Sequence, residues 1–136
     1  MPDRAVDGLL WLVSLFLFVT ILFLSLGRPP DVPGLHFEAA DKVGHMIAYG
    51  ALTFSLLLAA VWRPGRTGRT GDGLVASAWA VVGGVLVFGG AVELVQLTVH
   101  RNGDVLDLMA DAIGALIATG LWRLLQRRAE RRLSQP

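Results

Sequence analysis

Residues 8–26 read GLLWLVSLFLFVTILFLSL, nineteen positions without a charge and with hydroxyls at Ser14, Thr20 and Ser25 alone. A helix needs about 20 largely apolar residues to cross a bilayer, and this stretch supplies them. Working outward, the same length of apolar sequence recurs three times, over 43–62, 74–97 and 105–125. Pro29, Pro30, Pro33 and Gly34 break the chain after the first run, and Pro64, Gly65, Gly68, Gly71 and Gly73 after the second. Arg101-Asn102-Gly103 reads as a tight turn before the fourth. The reading is all-α: a polytopic membrane protein whose four transmembrane helices form one small bundle, a single domain over 1–136, with 126–136 a basic tail.

Composition agrees. The chain has 136 residues, 54% apolar and 17% charged, with a mean hydropathy of +0.58. Ordinary soluble domains carry about 25% charged residues. There is no cysteine, which excludes disulfides, thiol catalysis and thiolate metal sites. No nucleic-acid motif is present. The first run is longer than the 7–15 residues usual in a signal peptide, so a retained anchor is expected.

Lysine and arginine set the orientation. With the N-terminus inside, Arg4, Arg63, Arg66, Arg69, Arg123, Arg127, Arg128, Arg131 and Arg132 lie on the cytoplasmic side, against Arg28, Lys42 and Arg101 outside. The expectation is a bacterial inner-membrane protein with both termini cytoplasmic. Trp11, Trp62, Trp79 and Trp122 fall near the inner boundary, as interfacial anchors do. Phe16, Phe18 and Phe23 read as lipid-facing or packing residues.

Charge interrupts the last three runs at ends that this topology puts on the outer side. The interruptions are Asp41-Lys42-x-x-His45, Glu93-x-x-Gln96, and Arg101-x-x-Asp104-x-x-Asp107-x-x-x-Asp111. Ionisable groups are costly in hydrocarbon and mark functional sites by default. Residues three or four apart share a helix face. Asp41, His45 and Tyr49 therefore form one stripe, and Asp104, Asp107 and Asp111 another. At 1.5 Å per residue, Asp111 lies about 10 Å below Asp104. Ala76, Ala80 and Gly84, and Ala110, Gly114 and Ala118, repeat every four positions, a spacing that lets helices approach closely in lipid.

This ordered set, over roughly 35–125, resembles the VanZ-like family of small bacterial membrane proteins. The family is named for a protein encoded with glycopeptide-resistance genes that lowers sensitivity to teicoplanin. The resemblance implies an envelope-associated protein, with a role in glycopeptide tolerance as one implication, and it supplies no reaction. By position, the family's polar motif falls on Asp41, Lys42, His45, Glu93, Gln96, Arg101, Asp107 and Gly114. Relatives usually carry Asn where this chain has Asp111. An ionised Asp111 adds a negative charge to the layer, while a protonated one mimics part of an amide's hydrogen-bonding pattern.

Three readings of the layer follow. Lys42 and Arg101 can receive the phosphate or carboxylate of a lipid-linked envelope precursor or glycolipid, with the acids accepting hydroxyls and amines. The same groups can form a purely structural clasp. Alternatively His45, with Glu93 or an aspartate, can serve as acid and base in a membrane enzyme acting on a lipid-linked substrate. One histidine with several carboxylates is also a donor set that divalent metals accept. Against catalysis, the chain lacks His-x-x-x-His, Gly-x-Ser-x-Gly and the paired histidines of lipid-phosphate phosphatases, and His36 and His100 lie in loops. The expectation is a non-catalytic polar layer, with ligand binding as its sharper form, made of Asp41, Lys42, His45, Glu93, Gln96, Arg101, Asp104, Asp107 and Asp111, with no catalytic residue assigned and no metal or cofactor expected. The expected partners are the bilayer and the envelope lipid, with no nucleic acid, and an oligomer is compatible with so small a bundle.

Overall fold

In lipid every backbone N–H and C=O must be bonded within its own segment, so an apolar run like 8–26 crosses as a helix. The computed structural model describes residues 2–27, 37–61, 72–98 and 105–133. Among these, four helices are long and apolar enough to span a membrane. They are α1 (Pro2–Leu26), α2 (Phe37–Leu56), α3 (Asp72–Thr98) and α4 (Val105–Leu133), and no strand occurs among the described residues. A π-helical turn, Leu57–Val61, continues α2. The Gly27 N–H closes α1 on the Phe23 carbonyl at 2.9 Å.

Contacts between helices fix an up-down-up-down arrangement. Ser14 on α1 donates to Ser55 on α2 at 3.0 Å, and Phe18 stacks on Phe88 of α3 with centroids 4.3 Å apart. Arg123 of α4 lies 5.7 Å from the centre of the Trp79 ring on α3. Lys42 meets Asp107 and His45 meets Asp111, in register, so α2 and α4 run parallel. The start of α2, the end of α3 and the start of α4 thus share one end of the bundle, called here the polar end.

The bundle is apolar on its outside. Phe16 (70%), Phe23 (76%) and Val87 (74%) are largely exposed, which in water would be a large sticky patch and in hydrocarbon is the natural surface. Buried contacts gather in two clusters. Nearer the polar end, Ile21, Tyr49, Leu52 and Val85 pack together. Toward the other end, Leu57, Ala78 and Trp122 do so, with Phe54 and Leu74 beside them. α1 is peripheral and α4 central: 17% of the α1 span is buried against 44% of the α4 span.

α2 and α4 make the closest helix pair. A Cβ at Gly114 would run into the Met46 carbonyl, and one at Gly50 would stand 3.1 Å from the Gly114 carbonyl oxygen. Ala110, Gly114 and Ala118 are buried in this contact. The matching stripe on α3 behaves differently. Ala76, Ala80 and Gly84 are exposed, because α3 turns Ala78, Val82, Val85, Gly89, Val92 and Gln96 inward instead.

One further expectation changes. Trp122 is 2% exposed and part of the core, not an interfacial anchor, since it packs against Leu57 and Ala78. Trp11 and Trp79 are about half exposed, and Trp62 lies outside the described residues. Where the basic tail is described, it is helical. α4 runs on unbroken to Leu133, about 43 Å in all, and therefore outlasts the roughly 30 Å hydrocarbon layer. Its last-turn Arg131 and Arg132 complement the negative end of the helix dipole.

Because the obstacle at Gly114 is backbone, Gly114→Ala is expected to destabilise the bundle by about 1–3 kcal/mol, in the range of overpacking. Gly50→Ala should cost less, and Gly84→Ala, where no heavy atom lies within 4 Å, should be neutral. SDS titration of the protein in mixed micelles measures the order; an equal response at all three sites would contradict the contact.

Candidate functional site

Helical spacing and the parallel pairing of α2 with α4 build the site. Lys42, His45 and Tyr49 repeat at i, i+3, i+7 on α2. Asp107, Asp111 and Gly114 repeat at i, i+4, i+7 on α4. Set side by side, the two stripes pair rung by rung. Lys42 Nζ donates to Asp107 Oδ1 at 3.2 Å. One turn deeper, His45 Nδ1 and Asp111 Oδ1 share a hydrogen bond of 3.0 Å. A further turn down, the two glycines bring the backbones together. That approach is what lets the short Asp111 side chain reach across.

Burial grades through the layer. The Lys42 side chain is 32% exposed and that of Asp107 9%, while His45 is 12% and Asp111 fully buried. Asp41 is exposed. The buried Asp111 carboxylate is accommodated by a glycine on the third helix: a Cβ at Gly89 would lie 2.8 Å from Asp111 Oδ2 and 3.2 Å from the Tyr49 ring. Below the layer, aromatic rings form a floor across three helices. His45 and Tyr49 are parallel within 6° at 5.9 Å, Tyr49 meets Phe88 at 5.9 Å, and Phe88 stacks on Phe18. Two buried polar atoms at this depth, Asp111 Oδ2 and the Tyr49 hydroxyl, have no hydrogen-bond partner among the described residues.

The expected site residues divide into groups. Lys42, His45, Asp107 and Asp111 come together between α2 and α4. Asp41, His45 and Asp107 each offer a donor atom, all within 4.8 Å of one another. Glu93 is half-buried on α3 and close enough to act electrostatically on Tyr49. Gln96 is occupied elsewhere, its Nε2 donating to the Ser25 carbonyl at the end of α1 at 2.8 Å, so it ties α3 to α1. Arg101 and Asp104 lie outside the described residues.

Gly89 and Gly50 were not singled out from the sequence. Gly89 had a signal, since it lies one turn before Glu93 on the same face, and a glycine inside a helix often marks a packing or functional need. Gly50 lay on the face opposite the Ala110-Gly114-Ala118 stripe, which becomes visible once α2 and α4 are known to be partners. Beside this pair, Met46, Ile47, Gly50, Phe54, Ile117 and Leu121 line much of an apolar groove of ≈ 330 Å³ between α2 and α4.

The Gly89–Asp111 contact predicts coupling. Gly89→Ala and Asp111→Ala should each destabilise the protein by about 1–3 kcal/mol, the first by overpacking and the second by stranding His45. The double variant should cost clearly less than the two added together, because removing the carboxylate makes room for the methyl. A double-mutant cycle in micelles reads this directly, and strict additivity would contradict it.

A model of the VanZ/LLP1 family matches residues 9–126, which takes in all four helices and every described residue of the polar layer. No curated protein and no solved structure matches the chain. The four-helix membrane chain belongs to the VanZ/LLP1 family.

Proposed function

We propose that this protein sits in the bacterial inner membrane with both termini cytoplasmic, turns its polar end outward, and binds the headgroup of an anionic lipid-linked envelope molecule. The orientation rests on the nine-to-three distribution of arginine and lysine. One observation carries the binding reading: an apolar groove between α2 and α4, lined from Met46 and Gly114 onward, begins about one helical turn past the part-exposed Lys42–Asp107 pair. A charged mouth above an apolar channel open to the bilayer suits an amphiphile, with its headgroup at Lys42 and its chain along Met46, Gly50 and Ile117. Carboxylates beside Lys42 would accept hydroxyls or amines of the same headgroup. The family's link to glycopeptide tolerance is consistent with such a ligand, because it too concerns the envelope.

A second reading has its own support. Lys42 and His45 already face acidic partners within the chain, and Gln96 is committed to α1. This is the pattern of a clasp that fixes helix register. The enzyme reading gains less: His45 is joined to the buried Asp111, an arrangement that orients an imidazole without supplying a nucleophile.

Lipid binding separates these readings. In nanodiscs, a polyprenyl phosphate should be retained over phosphatidylglycerol when the released protein is weighed by native mass spectrometry. Lys42→Ala should weaken retention about tenfold, the scale of one charge-assisted hydrogen bond. Ala51→Phe, which fills the groove from an exposed position, should weaken it while leaving the polar layer intact. Retention unchanged in both variants would leave the clasp.

A further inference from the structure

We propose that Asp41, His45 and Asp107 bind a divalent first-row transition ion such as Zn²⁺ or Mn²⁺, with Asp111 as the positioning residue behind His45. The three donor atoms lie within 4.8 Å of one another. Ligands arranged tetrahedrally at about 2.1 Å from an ion stand about 3.4 Å apart, so modest rotation of three side chains closes the site. Asp41 and His45 are one turn apart on α2, and Asp107 faces them from α4, which makes the site a clamp across the closest helix pair.

The arrangement behind the histidine is the second observation. A metal-bound imidazole characteristically gives its other ring nitrogen to a carboxylate, which fixes the ring's orientation and raises its basicity. His45 Nδ1 is already engaged with Asp111 Oδ1 at 3.0 Å. With Nδ1 so engaged, the ion is assigned to Nε2. Asp111 is fully buried and Gly89 holds the space it occupies, so the orienting carboxylate is built into the core rather than lying on the surface by chance.

Charge points the same way. Two of the three donors, Asp41 and Asp107, are carboxylates. Carboxylate charge is costly at the edge of hydrocarbon, and a divalent ion offsets it. Lys42 Nζ now touches Asp107, one of the three ligands. Ammonium and metal therefore compete for that carboxylate, and the part-exposed Lys42 side chain can withdraw. Three protein ligands leave a coordination position open, and exposed Asp41 marks the way in. An anionic headgroup oxygen could occupy that position, but the ion's own binding does not depend on the lipid reading.

The test uses full-length protein in phosphatidylcholine nanodiscs, with no anionic lipid, dialysed against Zn²⁺ and analysed for metal content, with Mn²⁺ binding followed in parallel by electron paramagnetic resonance. One ion per chain is expected. Asp41→Asn, a change at an exposed position, and His45→Gln should each weaken binding about tenfold or more, and Asp111→Asn about 10–100-fold through loss of the orienting carboxylate. Lys42→Met should tighten binding, the opposite of its expected effect on an anionic lipid. The proposal is overturned if the wild type retains no stoichiometric ion. It is also overturned if Asp41→Asn and His45→Gln bind as the wild type does while His36→Ala or His100→Ala abolishes binding, or if Lys42→Met leaves affinity unchanged.

Discussion

The contact between the backbones of α2 and α4 at Met46, Gly50 and Gly114 governs the rest of the molecule. In lipid there is no hydrophobic gain from joining two apolar helices, so close van der Waals packing and a few hydrogen bonds must hold them. Small residues make that packing possible, and the polar rungs above inherit its geometry. Aspartate is a short side chain. Its 3.0 Å bond to His45 exists because the two helix axes converge one turn below. Lys42 is long and flexible, and it would tolerate a wider gap that Asp111 would not.

Such a layer is demanding. Individual hydrogen bonds between membrane helices contribute only about 0.6 kcal/mol on average, while a buried carboxylate is expensive to hold. Stability therefore comes from the apolar clusters and the glycine contact, and the polar rungs impose specificity on a bundle whose exterior is uniformly greasy. Asp111 Oδ2 and the Tyr49 hydroxyl, both buried and without hydrogen-bond partners among the described residues, lie at the depth where the helices are most constrained. The fold carries this cost in its interior, next to Gly89, rather than at a surface where water would relieve it.

Much of this was legible in one dimension. Apolar runs and charge asymmetry are properties of sequence order, so the spans and the grouping of the polar residues could be read directly. Spacing of three and four put His45 with Lys42, and Asp111 with Asp107, on shared faces. What spacing does not reveal is the direction a face points. Ala76-Ala80-Gly84 and Ala110-Gly114-Ala118 carry the same period, yet the first looks outward and the second meets α2. Trp122 misled for a related reason: its distance along the helix suited an interface, but its azimuth is inward. Gln96 donates to the Ser25 carbonyl, a backbone atom that no side-chain pattern announces.

The parallel partnership of α2 and α4 has a consequence for biogenesis. These helices are separated in the chain by the whole of α3, so α2 is synthesised well before its partner. Until α4 arrives, Lys42 and His45 have neither Asp107 nor Asp111 opposite them, and the Gly50 surface has no ridge to receive. Half of the polar seam must wait at the membrane edge, where water or the insertion machinery can solvate it. Closing the seam is thus an act of chain completion. A truncated product would be left with unneutralised charge beside lipid.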